Sequence, residues 1–120
     1  MTVGTILIVE DEQPVREFLA ELVQEAGHQA LQAVHGREAL AVARAERPDL
    51  VLVDVMLPIL GGLELCRRLK ADPDTSSTPV ILMASAARRP PDLAGADGFL
   101  SKPFDLTEIN AAIGRWLGPK

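Results

Sequence analysis

The sequence is short of several things, and each shortage removes a class of protein. One cysteine, Cys66, stands among 120 residues, so no internal disulfide can form and a reducing compartment is expected. Aromatic residues make up 3% (Phe18, Phe99, Phe104 and Trp116), too few for base-stacking platforms. The 12 Lys and Arg are outnumbered by 17 Asp and Glu, for a formal charge of −5. That balance argues against a basic face for nucleic-acid phosphates. No apolar run approaches the ~20 residues that span a bilayer. The opening MTVGTILIVEDE turns acidic where a signal peptide stays apolar. A cytoplasmic protein with no membrane and no direct nucleic-acid contact is the expectation.

What remains is globular in composition, 48% hydrophobic and 24% charged, at a length that suits one domain over residues 1–120. No repeat, low-complexity tract or linker interrupts it. Thr5-Ile6-Leu7-Ile8-Val9 is an unbroken apolar run rich in β-branched residues, the pattern of a strand buried on both faces. Pro14 then suits the first turn of a helix, where its missing N–H costs nothing. Val15, Phe18, Leu19, Leu22, Val23 and Ala26 recur at helical spacing, and Gly27 supplies the stop.

The alternation continues along the chain. A weaker strand is expected over His28–Val34 and an Ala-rich helix over Arg37–Arg47, before Pro48. Leu50–Val53 reads as a second fully buried strand, terminating at Asp54. Leu63–Ala71 reads as a helix, Pro79–Met83 as a fourth strand and Gly98–Ser101 as a fifth. Asp105-Leu106-Thr107-Glu108 resembles an N-cap with an acidic third position, opening a helix with Leu106, Ile109, Ile113, Trp116 and Leu117 on its core face. Strands alternating with helices imply right-handed crossovers and a doubly wound α/β fold. Five parallel strands in such folds commonly take the order 2-1-3-4-5.

Functional groups in these sheets gather at the strand carboxyl ends, where the order reverses. Glu10 and Asp11 fall at the end of strand 1 and Asp54 at the end of strand 3, so three carboxylates converge. Their repulsion raises a pKa or demands a cation, and hard oxygens at a wet loop edge suit Mg²⁺. A solvated acidic patch favouring the first helix dipole is the bland alternative for Glu10-Asp11-Glu12. Asp54 resists that reading, because it follows four apolar residues where an uncompensated charge is costly. Lys102 follows strand 5 on the same edge, within reach of a phosphoryl group or of Asp54, and Pro103 is a candidate for a cis bond. His28 and His35 lie at turn edges without metal-ligand spacing, and Cys66 reads as core.

ILIVEDE, LVLVDVMLPILGG, PVILM and GADGFLSKPF, in this order and spacing, resemble the receiver domain of two-component response regulators over nearly the whole chain. The resemblance implies a flavodoxin-like fold and a phosphoacceptor signalling domain rather than an enzyme, one that at most assists its own Mg²⁺-dependent phosphorylation and dephosphorylation. By position, Asp54 matches the aspartate that takes a phosphoryl group from a sensor histidine kinase or phosphotransfer protein. Asp11 matches a direct Mg²⁺ ligand, Glu10 one acting through water, and Met56 the residue whose backbone carbonyl also binds the ion. Lys102 matches the lysine that contacts the phosphoryl oxygens. Pro58 and Gly62 match loop residues after the acceptor, and Phe99 the aromatic switch. The modified state is expected to alter binding to a downstream protein, with phosphorylation-linked dimerisation as a further expectation.

Two departures stand out. The strand-4 hydroxyl of the family falls on Ala84 by ungapped counting, with Ser85 one residue later. The connection from there to Lys102 is shorter than usual by roughly one helical turn, and Arg88-Arg89-Pro90-Pro91 blocks continuous helix. The family's fourth helix is therefore truncated or replaced by a loop. These departures motivate an alternative, an interaction module whose switching depends little on phosphorylation. The length leaves no room for an output domain, so the response is expected to pass through a partner or a segment outside this chain. A nucleotide-binding flavodoxin relative is disfavoured, since Glu10-Asp11-Glu12-Gln13 would repel phosphate without a metal. An aspartyl phosphatase would carry a second acid where Met56 stands.

Overall fold

The apolar runs become five parallel strands, ordered β2-β1-β3-β4-β5, in a computed structural model that describes residues 3–117. They are β1 (Thr5–Val9), β2 (Gln29–Ala33), β3 (Leu50–Asp54), β4 (Val80–Ser85) and β5 (Gly98–Lys102). The helices are α1 (Gln13–Glu25), α2 (Gly36–Glu46), α3 (Gly62–Ala71) and α4 (Leu106–Leu117). Strands β1, β3 and β4 lie inside the sheet and are covered on both sides, which is why they read as continuous apolar runs rather than alternating ones. Outer β2, with its pattern Gln-Ala-Leu-Gln-Ala, is only partly buried, and it is shorter than the expected His28–Val34 because its ends are polar or exposed.

Two cores result, one on each face of the sheet. Ile6, Ile8, Leu50, Leu52, Ile81 and Met83 pack against Leu19 and Val23 of α1 and Ile109 and Ile113 of α4. Leu7, Val9, Val51, Val53 and Leu82 pack against Leu40 and Ala43 of α2 and Leu65, Cys66 and Leu69 of α3. Each fully buried aliphatic side chain contributes about 1.5–3 kcal/mol against leaving it in water. Cys66 is core, as expected, and burial pushes its thiol pKa up. Phe18 departs from its expected core position and is 50% exposed, since it lies at the margin of α1's apolar arc.

Local signals account for the ends of the helices. Pro14 stands in the first turn of α1, and Gly27 follows the helix at φ 91°. The Asp105 carboxylate accepts from the Glu108 backbone N–H at 3.0 Å, capping α4 as the sequence suggests. Both histidines have structural work: His28 Nδ1 accepts from the Gly4 N–H at 2.9 Å, and His35 Nδ1 caps α2 through the Glu38 N–H at 3.1 Å. Between β4 and β5 there is one 3₁₀ turn, Ala86–Arg88, and no α-helix. Pro90 and Pro91 prevent one from continuing.

Candidate functional site

The parallel register brings the predicted residues to one edge. Val9 pairs with Val53, Asp54 with Met83, and Ser85 with Lys102, so β1, β3, β4 and β5 all end at the same rim. Glu10 immediately follows β1, its N–H bonded to the Ala33 carbonyl at 3.1 Å. Its side chain is fully buried, so Glu10 is not part of a solvated helix-capping patch, although Asp11 and Glu12 are exposed. Consistent with that, Glu12 makes no side-chain cap and the first turn of α1 carries no acid.

The centre of the site is a lysine held between two carboxylates. Lys102 Nζ donates to Glu10 Oε1 at 2.8 Å and to Asp54 Oδ2 at 2.9 Å. Asp54 Oδ1 accepts from the Met56 N–H at 2.8 Å, and Glu10 Oε2 from the Glu12 N–H at 3.2 Å. Arg16 of α1, which sequence reasoning overlooks, donates to the backbone carbonyls of Glu10 at 2.9 Å and Asp11 at 3.5 Å. Its only signal is an arginine one turn into the helix that follows the acidic motif. Asp11 is exposed, and carboxylate oxygens of Glu10, Asp11 and Asp54 lie within 4.8 Å of one another. Among the described residues this is the one group of three acids, cysteines or histidines able to hold a metal.

Electrostatics divide the two buried acids. Burial, reinforced by hydrogen bonding and repulsion from Asp54, raises the Glu10 pKa to about 7. Burial also pushes Asp54 upward, but hydrogen bonds from Glu10, Lys102 and the Met56 N–H outweigh it and hold its carboxyl below the ordinary aspartate value. Burial works against the Lys102 charge, and the two carboxylates more than offset it, so that lysine stays protonated. Desolvation thus prevails at Glu10 and pairing prevails at Asp54. The site offers an ionised Asp54 beside a cation.

The acceptor loop is built tightly. A Cβ at Gly62 would stand 2.2 Å from the Asp54 carbonyl oxygen, so only glycine lets α3 begin there. The Gly62 N–H bonds the Val55 carbonyl at 3.1 Å. Pro58 and the Met56 side chain are exposed on this loop. The Lys102–Pro103 bond is cis.

A profile of the response regulator receiver domain matches residues 6–114. The chain belongs to the response regulator receiver domain family. It is 40% identical to the phosphate regulon transcriptional regulatory protein PhoB of Pseudomonas aeruginosa, over 96% of this chain and 53% of that protein. To protein PilH of the same organism it is 36% identical, over 90% of this chain and 96% of PilH. The chain thus spans about half of PhoB and nearly all of PilH. The receiver domain of sensor histidine kinase PA1611 from P. aeruginosa, solved with magnesium coordinated in its active-site cleft, superposes with TM-score 0.87 at 29% identity, covering 98% of this chain and 100% of that one. Receiver domains are the phosphoacceptor modules of two-component signalling, and this receiver has the acidic cluster such a role needs. No helix among its described residues is long and apolar enough to cross a membrane.

The remaining predicted positions divide by sheet face. Successive residues of a strand point to opposite faces. Leu82 and Phe99 share the core on the α2/α3 side, so Ala84, two residues beyond Leu82, points to the same side as Phe99. Ala84 is buried, whereas Ser85 is exposed and lines a hollow with Val15, Phe18 and Phe104. The Arg89 guanidinium lies 4.6 Å from the centroid of the Phe99 ring.

Proposed function

We propose that Asp54 accepts a phosphoryl group from a sensor histidine kinase or phosphotransfer protein in a Mg²⁺-dependent reaction. The observation that carries this reading is Lys102 Nζ bridging Glu10 and Asp54 at 2.8 and 2.9 Å, beside an acidic group that can hold a cation. Asp11, Asp54 and the Met56 backbone carbonyl would hold the ion directly and Glu10 through water. The three hard carboxylates suit it. When bound, Mg²⁺ supplies charge neutralisation between the anionic acceptor and the incoming phosphoryl group.

The chain's own residues do the positioning. The Met56 N–H and Lys102 fix the two Asp54 oxygens, and the lowered pKa keeps Asp54 ionised as the nucleophile at neutral pH. Attack of a carboxylate oxygen on phosphorus forms the acyl phosphate as the phosphohistidine P–N bond breaks. The departing imidazole keeps the electron pair and takes its proton from water. Lys102 then balances the phosphoryl oxygens it faces, as a compact point charge suited to phosphate. Ala84 takes the place of the β4 hydroxyl, so no side-chain hydroxyl from that position reaches the phosphoryl group. Phe99 is the aromatic that reads the modified site. The chain acts as a single receiver over 1–120, in the cytoplasm, and the added charge alters binding to a downstream protein.

Labelling with a small phosphodonor in the presence of Mg²⁺ tests the assignment. Wild type is expected to incorporate one phosphoryl group and Asp54→Asn none. Equal labelling of the two proteins would remove Asp54 from the role.

A further inference from the structure

The turn that carries two of the three clustered carboxylates is not held by a conventional cap. Helix N-termini are usually fixed by a short Ser, Thr, Asp or Asn side chain that accepts from a first-turn N–H. Here the N-cap is Glu12, whose side chain makes no such bond, and Pro14 in the first turn has no N–H to offer. Glu10 and Asp54 are each fixed by Lys102 and by a backbone N–H. Asp11 is exposed, and among the described residues nothing donates to its carboxylate. The direction in which Asp11 offers its oxygens therefore rests on its backbone.

Arg16 holds that backbone. It stands one turn into α1 and is half-buried. Its Nη1 donates to the Glu10 carbonyl at 2.9 Å and, over a longer 3.5 Å, to the Asp11 carbonyl. Its Nε donates to Gln32 Oε1 on β2 at 3.1 Å. The main chain adds Arg16 N–H to the Glu12 carbonyl at 2.9 Å and Glu10 N–H to the Ala33 carbonyl at 3.1 Å. One side chain thus ties α1, the acidic turn and β2 together across the end of β1. The chain has 17 Asp and Glu, yet among the described residues the Arg16 guanidinium is paired with none of them. Its fork of N–H donors, which a lysine does not possess, is what the contacts use.

We infer that Arg16 is a positioning residue for the divalent cation, fixing the Asp11 backbone and so the presentation of its carboxylate without touching the ion. The inference rests on the Mg²⁺ reading above and adds a residue to it. A ligand held in place beforehand needs no ordering when the ion arrives. Groups that orient metal ligands from behind are typically worth about 10–100-fold in affinity. Charge acts in the opposite sense, because a nearby guanidinium repels a cation and its removal would tighten binding. The sign of the change therefore separates positioning from charge.

Mg²⁺ titrated into the full chain and followed by amide NMR gives the affinity without any phosphorylation. Arg16→Lys keeps the charge and loses the fork, and is expected to weaken Mg²⁺ binding about tenfold. Arg16→Met, without the charge, is expected to weaken it as well. Gln32→Met leaves the guanidinium and removes its anchor on β2, and is expected to fall between wild type and Arg16→Lys. Circular dichroism and thermal unfolding confirm that each variant is folded at the titration temperature. In labelling of Asp54, the half-saturating Mg²⁺ concentration rises with these dissociation constants, while the rate at saturating ion changes by less. Arg16→Lys binding Mg²⁺ like wild type, or Arg16→Met binding it as tightly or more tightly, overturns the inference. Affinities that shift as expected in a chain whose Asp54 takes no label overturn the acceptor assignment alone. Absence of Mg²⁺ binding at this rim in wild type overturns the metal reading and this inference together.

Discussion

Glu10→Gln is expected to make the metal-free protein more stable at neutral pH, and less dependent on pH, than wild type. In the folded chain the Glu10 carboxyl is buried and titrates near 7, against 4.5 for the free side chain. Between those values the folded protein holds a proton that the unfolded chain releases, so stability falls as pH rises through this window. The contribution is fully present below about pH 4.5 and lost above about pH 7. At about 1.4 kcal/mol for each pH unit, the loss is about 3 kcal/mol. In a domain of this size that corresponds to a midpoint shift on the order of 10 °C. Glutamine has no proton to lose and is flat across the window. The assay is thermal or urea unfolding between pH 5 and pH 8 with a chelator present, followed by Trp116 emission. Differences between the two proteins report Glu10 together with Asp54 and Lys102, whose protonation it influences. Parallel profiles for the two proteins, or wild-type stability rising with pH relative to the variant, would refute the reasoning.

Two other substitutions probe the same rim. Lys102→Met leaves Glu10 and Asp54 facing each other without a cation and is expected to cost about 2–3 kcal/mol at pH 8, below the ~3–5 kcal/mol for a fully buried pair because the lysine is partly exposed. Urea titrations with and without Mg²⁺ check it, and the ion should restore more stability to the variant than it adds to wild type. Gly62→Ala forces a methyl into the Asp54 carbonyl oxygen, 2.2 Å away, and should cost about 3 kcal/mol while slowing labelling of Asp54. Unaltered stability and labelling would show that the loop gives way freely.

How much the sequence discloses depends on the kind of signal each element carries. The inner strands are legible because Ile6–Val9 and Leu50–Val53 are buried on both faces, and parallel strands produce such short unbroken runs. Asp54 stands out because it ends one of them. Glu10 is ambiguous: in an acidic triplet, composition cannot distinguish a fully buried carboxylate from its exposed neighbour Asp11, and only the pairing with Lys102, distant in sequence, separates them. Arg16 escapes notice because its contacts to this site are to backbone carbonyls, which every residue has, while its Nε donates to the Gln32 side chain on β2. The choice between Ala84 and Ser85 turns on strand register, and one residue exchanges the two faces of a sheet. Phe18 misleads for a related reason, since helical spacing marks an apolar arc but not how far its neighbours cover it. The loss of the helix after β4 is readable from Pro90 and Pro91.

The most direct test of the central claim is to map the phosphorylated residue in the wild-type protein. After reaction with a small phosphodonor, the acyl phosphate is trapped by borohydride reduction and the modified residue located by peptide mass spectrometry. Modification at Asp54 alone, present with Mg²⁺ and absent with a chelator, is the predicted result. Modification at Glu10, Asp11 or a site away from this rim, or labelling at Asp54 that is indifferent to Mg²⁺, would contradict it.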